Sequence, residues 1–433
     1  MSFLKVLGFD PAKHNVKTEI VAGITTFLTM AYILAVNPDI FSALEEMGMP
    51  KGAVFTATAL AAIVGTLVMS LYAKKPYALA PGLGLNAFFV YTVCLTMGYS
   101  WQFALTAVLI EGIIFIILTV TNVREAIINA IPKAMKSAVS AGIGLFIAFI
   151  GLVNAGIIVD DGGTIINLGT ITSGPALLAI VGLVITSVMM ILKVPGAMLI
   201  GIIVTAIIGI PFGITKFDGV VSSVPSVAPI FWKFEFHNIL SWDMIIVVFT
   251  FLFIDMFDTI GTVIGVSKKA NAMNPDGTIP GVKKVLMADA VATVWGAICG
   301  TSTTTTYVES ASGVAEGGRT GLTSFTVAIC FAIALFFAPV FLAIPSAATA
   351  PALILVGVMM MSSILDVDFN DFSECIPAYI CMIVMPLAYS ISDGIMLGMI
   401  SFVVLNALTG KFKKISVMMW ILAVLFILRY ILL

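Results

Sequence analysis

Residues 78–91 read ALAPGLGLNAFFVY, and residues 300–321 read GTSTTTTYVESASGVAEGGRTG. Each stretch opens an apolar run with residues that interrupt a helix. Pro81 has no backbone donor, Gly82 and Gly84 weaken helix formation, and the β-branched Thr303, Thr304, Thr305 and Thr306 favour extended backbone. We read each stretch as a short extended piece feeding a half-helix, the first just before Asn86 and the second just before Glu309. Non-helical backbone is tolerated at membrane depth only where protein or a water-filled cavity satisfies its polar groups. The two breaks therefore predict the walls of a cavity. The N-terminus of each half-helix would aim unpaired N–H groups and a positive dipole end at it.

The rest of the chain is apolar enough to make membrane depth the right setting. Of its 433 residues, 60% are hydrophobic and 10% charged, with a mean hydropathy of +1.15; a soluble domain carries roughly 25% charged residues. Apolar segments fall at 24–36, 53–71, 80–96, 103–120, 138–153, 176–192, 197–211, 244–266, 285–299, 303–315, 322–342, 347–365, 376–389 and 395–408. These predict an all-α polytopic protein of about fourteen crossings. A further run, 415–432, is expected either to cross or to lie against the bundle. With a cytoplasmic N-terminus and strict alternation, every Lys and Arg from Lys5 to Lys414 except Lys51, Lys216 and Lys233 falls on one side. That is the positive-inside pattern, and one missed crossing would scramble it. It implies a multi-pass protein of the inner (plasma) membrane. The polar stretch before the first apolar run lacks the features of a cleaved signal peptide, so the first helix is expected to be retained.

An internal repeat organises the segments. IPKAMKSAVSAGIGLFIAFIGL from Ile131 resembles IPSAATAPALILVGVMMMSSIL from Ile344, and VPGAMLIGIIV from Val194 resembles ISDGIMLGMIS from Ile391. The matched segments run in opposite directions, which makes the repeat inverted. Inverted repeats with discontinuous helices are typical of secondary transporters. The expected division is a cytoplasmic N-terminus at 1–17, a first repeat at 18–213, a connecting extracellular loop at 214–243, a second repeat at 244–410, and a C-terminal basic loop and apolar helix at 411–433.

Few ionisable residues lie inside the apolar runs: Glu111, Asp255, Asp258, Asp289 and Glu309. Each costs about 2.5–3.5 kcal/mol or more at the bilayer centre, which makes each a functional candidate. Asp255 and Asp258 are spaced i, i+3 and are expected to face the same side of one helix. Two carboxylates that close, and buried, are suited to binding and releasing a proton, with sodium as the rival ion. Glu111 and Asp289 stand alone and read as helix-to-helix hydrogen-bonding groups. The glycine pairs Gly142 with Gly144 and Gly261 with Gly265 read as close-packing sites.

Other classes of function find no support. A net charge of −2 and a pI near 5.7 show no basic excess for nucleic-acid binding. Cys94, Cys299, Cys330, Cys375 and Cys381 form no CxxC pair and read as small core residues. His14 and His237 lie outside the apolar runs, leaving no metal cluster, no Ser/His/Asp set and no cofactor motif. Gly82 and Gly84 lack the βαβ setting of a dinucleotide fingerprint. An enzyme is therefore not expected.

The stretches VKTEIVAGITTFLTMAYILAVNP, LAPGLGLNAFF, FIDMFDTIGT, TYVESASGVAEGGRTGLT and IPAYICMIVMPLAYSISDGI together resemble the nucleobase–cation symporters, specifically the azaguanine-resistance branch of hypoxanthine, guanine and adenine permeases. The resemblance covers nearly the whole chain. It implies a seven-plus-seven inverted repeat of the uracil-permease-like kind, with short strands in segments 3 and 10. It further implies a core domain of segments 1–4 and 8–11, a gate domain of segments 5–7 and 12–14, and proton-coupled uptake by elevator-like movement of the core. By motif position, Asn86, Asp255 and Glu309 fall on the branch's binding positions, with Asp258 beside them as a coupling or supporting group. Where a wider branch has an amide after the glutamate, this chain has Ser310, which argues against uracil, xanthine or ascorbate. Phe88, Phe89, Phe257 or Tyr307 could stack on a purine ring, and a carboxylate and the Asn86 amide suit its polar edge. The expected substrate-binding set is thus Asn86, Asp255, Glu309, Ser310, Phe88 and Tyr307, and the ion-coupling set is Asp258, Asp255 and Glu309. The expected partners are a purine nucleobase, a coupling cation and the lipid bilayer, and the chain is compatible with a homodimer. The alternatives are a passive channel, which would not need the repeat, and an anion exchanger of the same fold, which would not need buried acids.

Overall fold

The computed structural model describes residues 2–121, 132–217, 219–237, 239–274 and 279–432. Arg124 and Ile131, and the side chains of Phe257 and Lys268, lie outside what is described. The fourteen segments follow one another as expected. The first half comprises helices at Val16–Met30 with Ile33–Phe41, Lys51–Val68, Leu83–Thr96, Trp101–Thr121, Lys133–Asn154, Gly174–Ile191 and Ala197–Gly209. The second comprises Trp242–Lys269, Val282–Cys299, Ser310–Ala315, Gly321–Ala334, Ser346–Met361, Phe372–Leu387 and Ile391–Leu408. Among the described residues, nine helices are long and apolar enough to cross a membrane, and several shorter apolar helices accompany them.

Segment 1 begins at Val16, well before the apolar run at 24–36. Its polar first turn is held by Asn15, whose Oδ1 accepts from the backbone N–H of Lys17 at 2.9 Å and of Thr18 at 3.4 Å. The helix is then interrupted at Ala31 and Tyr32 before resuming at Ile33.

Segments 3 and 10 open with strands at Leu79–Pro81 and Thr304–Thr306, which pair antiparallel with Ala80 opposite Thr305. Gly82 N–H extends the ladder to Thr303 O at 3.0 Å, and Tyr307 N–H donates to Ala78 O at 2.9 Å. Each strand thus satisfies the other's backbone at a depth where water is scarce.

Segment 5 packs on segments 12 and 13, segment 6 on 7 and 12, and segment 13 on 14; segment 9 packs on 2 and 4, and segment 11 on 1 and 2. The two Ile-Pro repeats therefore meet each other as segments 5 and 12. They cross at Gly144 and Gly357, where an added Cβ on Gly144 would lie 2.7 Å from Gly357 O and one on Gly357 2.4 Å from Gly144 O. Only glycine permits backbones this close. Gly142 likewise abuts Met385, 2.6 Å from an added Cβ. Gly261 and Gly265 do not pack as expected: a Cβ at either would meet nothing within 4 Å among the described residues, because that stripe of segment 8 faces open space.

One feature lies beyond the sequence reading, and the 415–432 run forms the apolar helix expected of it. Between segments 5 and 6, Ile158–Asp161 and Ile165–Leu168 form a hairpin turned by Gly162 and Gly163. The C-terminal run forms a helix, Val417–Leu432, that lies against segment 14, with Phe426 packed on Phe249 at 5.6 Å between ring centroids and Tyr430 donating to Asp393 at 2.7 Å. The turn before it is held by Lys414, 2.6 Å from Asp371 and 2.9 Å from Glu374. Lys414, with Ser373 and Lys411, keeps the Asp371 carboxyl below the usual carboxylate range.

Candidate functional site

The strand at Thr304–Thr306 and the residues before it are held by side chains from five segments. Asn37 of segment 1 donates to Thr301 Oγ1 at 3.1 Å. Ser302 donates to Asn86 Oδ1 in segment 3, and Thr303 donates to Glu111 Oε2 in segment 4 at 2.6 Å. Thr293 of segment 9 donates to Thr304 O at 3.1 Å. Thr305 and Thr259 of segment 8 share a hydroxyl pair at 2.6 Å, and Asp289 of segment 9 accepts from Thr306 N–H at 3.0 Å and Thr306 Oγ1 at 3.1 Å. The run TSTTTT supplies hydroxyls that a hydrocarbon environment favours bonding, and every one but that of Thr304, which has no partner among the described residues, is met there. The reading of Glu111 and Asp289 as hydrogen-bonding posts agrees with these bonds.

The N-terminal ends of both half-helices border a cavity of about 390 Å³. Gly82, Leu83 and Gly84 line it from segment 3, and Thr306, Tyr307, Val308 and Glu309 from segment 10. Segment 8 contributes Ile254, Asp258, Gly261 and Thr262; segment 5 contributes Val139, Ser140 and Ile143; segment 12 contributes Val356, Met359, Met360, Ser362 and Ser363. The lining from segments 5, 8 and 12 lies toward the ends that carry Lys133, Lys269 and Asp366, so the cavity extends to the lysine-rich side of the bundle. Its size lies within the range of small-molecule sites, ~300–1,000 Å³, and its wall is mostly apolar with a few polar groups.

The structure divides the sequence candidates into two groups. Asp258, Glu309 and Tyr307 line the cavity. Asn86, Asp255, Ser310 and Phe88 are fully buried behind that lining. Asp255 and Asp258 are three residues apart, which rotates them by about 60° around the helix; that offset sends Asp255 toward Thr259, which donates to it at 3.0 Å, while Asp258 faces the cavity. Ser310 accepts from Ala78 N–H at 3.0 Å and so ties the two half-helices together. Phe88 meets Phe251 edge-on at 4.7 Å, and Phe89 meets Phe41 at 5.1 Å. Asn86 uses its oxygen on Ser302, and its Nδ2 has no acceptor among the described residues.

Tyr32 is a lining residue the sequence reading missed. It sits at the break in segment 1, and its hydroxyl donates to Glu309 Oε1 at 2.7 Å. A tyrosine inside an apolar run carries a hydroxyl that needs a partner, and that was the signal available. Tyr307 donates to Pro81 O at 2.5 Å, fixing its ring against the crossing strands. Among the described residues, Asp258 and Glu309 are the only carboxylates on the lining, and no Lys or Arg joins them there. Among the described residues no group of His, Cys, Asp and Glu could hold a metal ion.

Comparison with known proteins identifies the chain's relatives. Residues 17–397 match the model of the Permease family, Xan_ur_permease. A guanine/hypoxanthine permease of Bacillus subtilis is 46% identical, with 98% of each chain covered. An adenine permease of Escherichia coli is 40% identical over 96% of this chain and 94% of that one. Among solved structures, the transmembrane domain of a cyanobacterial bicarbonate transporter superimposes with a TM-score of 0.65 at 16% identity, covering 89% of this chain and 97% of that chain. That likeness concerns the fold alone. With the family model spanning the two strand-to-helix breaks and the relatives matching almost end to end, the chain belongs to this Permease family, the nucleobase–cation symporters whose motifs it carries.

Proposed function

We propose that the protein imports a purine nucleobase, guanine or hypoxanthine and by extension adenine, together with a proton. The observation that carries this reading is the cavity between the two half-helices and segment 8, with Glu309 and Asp258 as its carboxylates and Tyr32 and Tyr307 as its aromatic neighbours. A purine is flat, with apolar faces and an edge of N–H donors and carbonyl or ring-nitrogen acceptors. A buried carboxylate accepts from such an N–H, and the Asn86 amide, one end of it unspent, stands behind the same wall. An anion placed here would face two carboxylates with no cation among the described lining residues, so an exchanger of anions fits this chemistry poorly. In the proposed cycle, Asp258, with Asp255 behind it, carries the proton while Glu309 holds the base.

The proposed movement is that of a core, segments 1–4 and 8–11, against a gate, segments 5–7 and 12–14, with the N-terminus cytoplasmic. At the end opposite the cavity mouth, three contacts join the two groups. Asp39 of segment 1, 5% exposed, accepts from Ser346 at 2.7 Å and Thr349 at 2.6 Å in segment 12. Asn154 donates to Tyr91 at 3.2 Å, and Thr92 donates to Tyr389 O at 3.4 Å. A cavity open at one end and a clasp closed at the other is the arrangement of an inward-open carrier. The Asp39 and Ser346 side chains meet at 2.7 Å, so thiols introduced as Asp39→Cys and Ser346→Cys in a Cys330→Ser background can be joined by a short reducible bifunctional cross-linker, the native Cys94, Cys299, Cys375 and Cys381 being buried. Cross-linking of the double variant is expected to abolish uptake and a reductant to restore it. Full uptake by a chemically verified cross-linked protein would rule out opening at this end.

The direct test is uptake of radiolabelled guanine, hypoxanthine and adenine in cells without their own purine permeases. Saturable uptake that collapses with a protonophore is expected. An absence of uptake from protein shown to be in the membrane would overturn the substrate assignment, and uptake indifferent to the protonophore would overturn the coupling ion.

A further inference from the structure

We infer that Gly261 is a substrate-contacting residue, whose bare backbone on segment 8 is the surface on which the ring of the purine lies, one turn from Asp258. The inference deepens the purine-import reading and rests on it. Glycine inside a membrane helix usually lets a second helix come close, and Gly142, Gly144 and Gly357 do so here. Gly261 does not. A Cβ added there would meet nothing within 4 Å among the described residues, and its φ is not in the positive range that favours glycine. Neither packing nor backbone conformation therefore asks for glycine, a poorer helix former than alanine. The space it leaves belongs to the cavity.

Gly261 lines that cavity together with Ile254, Asp258 and Thr262 of the same helix. Its spacing from Asp258 is i, i+3, which puts the two on one face, with Gly261 about 4.5 Å further toward the Lys269 end, where the cavity opens. A base whose N–H edge meets Glu309 or Asp258 needs room beside those carboxylates for the rest of its two-ring body. At Gly261 the wall is peptide backbone with no side chain on it, so a flat ring can lie directly against the helix. Any side chain at this position would project into the volume the base fills. Gly265, a further turn along, is equally unobstructed but is not part of the lining. It supplies the control, the same residue on the same helix but outside the cavity.

The test is equilibrium binding of labelled hypoxanthine to detergent-solubilised protein carrying Gly261→Ala, Gly261→Val or Gly265→Val, with thermal unfolding of each measured without ligand. Gly261→Ala is expected to weaken binding about tenfold and Gly261→Val further, since one methyl group in a fitted pocket is worth roughly ten- to two-hundredfold. The unliganded midpoint of Gly261→Ala should stay at or above that of the wild type, because alanine favours the helix and its Cβ meets nothing there. Gly265→Val should bind as the wild type does. A glycine that served the fold alone would lose stability before affinity, the reverse of this pattern. Should Gly261→Val not accumulate, Gly261→Ala decides the question. Wild-type affinity in the Gly261 variants, with uptake kept or lost, overturns the inference and gives the open space to an approach of segments 5 and 12 during transport. Equal losses for Gly261→Val and Gly265→Val overturn it too, and either result leaves the import reading intact. A wild type that binds and imports no purine overturns the import reading itself, and this inference with it.

Discussion

Glu309→Gln is expected to lower purine uptake by about two orders of magnitude or more, with the amount of protein in the membrane unchanged. The substitution keeps the side chain's volume and one carbonyl oxygen, so the Tyr32 hydroxyl retains an acceptor. Glu309 makes no side-chain cap on the helix Ser310–Ala315, so that helix loses nothing. What changes is the face turned to the cavity, where an anionic acceptor becomes a neutral amide that can present N–H to N–H. Charge-assisted hydrogen bonds are worth about 1.5–3 kcal/mol each, which corresponds to roughly ten- to a hundredfold in affinity. A site built to bond a polar edge penalises mismatch more steeply still, because its own groups are left unpaired. Uptake of labelled guanine, normalised to protein quantified by immunoblot, checks this. Uptake equal to wild type would remove Glu309 from the binding machinery.

What the sequence discloses about such a site depends on whether the signal is local. The breaks at Pro81 and at Thr303 to Thr306 are local, written in residues that cannot continue a helix, and both strands lie where those residues put them. The segment order was equally legible, because hydropathy and lysine placement act along the chain. Which acid faces the cavity was not. Asp255 and Asp258 share a helix and nearly a face, and only the approach of segments 5, 10 and 12 decides that one borders the cavity and the other bonds Thr259. Gly261 and Gly265 have the spacing of a packing motif, yet their face looks into open space, since a glycine stripe does not say whether a neighbour comes close. Tyr32 escaped because its function lies in a bond to a residue far along the chain. The pairing of segments 5 and 12 at Gly144 and Gly357 was half visible: the repeat related the two helices, but similarity alone does not place repeat mates in contact.

The same asymmetry makes Asp289 more consequential than its isolated position in VLMADAVA implies. Asp289 is fully buried and accepts from Thr306 N–H at 3.0 Å and Thr306 Oγ1 at 3.1 Å, with Thr305 Oγ1 at 3.4 Å and Thr259 Oγ1, whose one proton it shares with Asp255, at 3.0 Å. It thereby fastens segment 9 to both segment 8 and the strand that carries Tyr307 and Glu309 into the cavity. Asp289→Ala removes every one of these acceptors at once, in a place where water cannot substitute. Each buried donor left unsatisfied costs about 1–3 kcal/mol, and although Thr305 and Thr259 can turn to each other, the Thr306 backbone N–H cannot. A loss on the order of 4 kcal/mol is expected, placing the variant among the most destabilising single substitutions. Asp289→Asn should cost much less, about 1–2 kcal/mol, because its carbonyl can still accept from Thr306 N–H while its amide donates to Thr259. The measurement is thermal unfolding of detergent-solubilised protein, together with hydrogen exchange at Thr306. The Ala variant should unfold well below the Asn variant and lose protection at that amide. Equal midpoints for Ala and wild type would mean that the two-strand crossing stands without its post. In that event the strand ladder, the Tyr307 N–H bond to Ala78 O and the bonds to Pro81 and Tyr32 would suffice to hold Tyr307 and Glu309 in place.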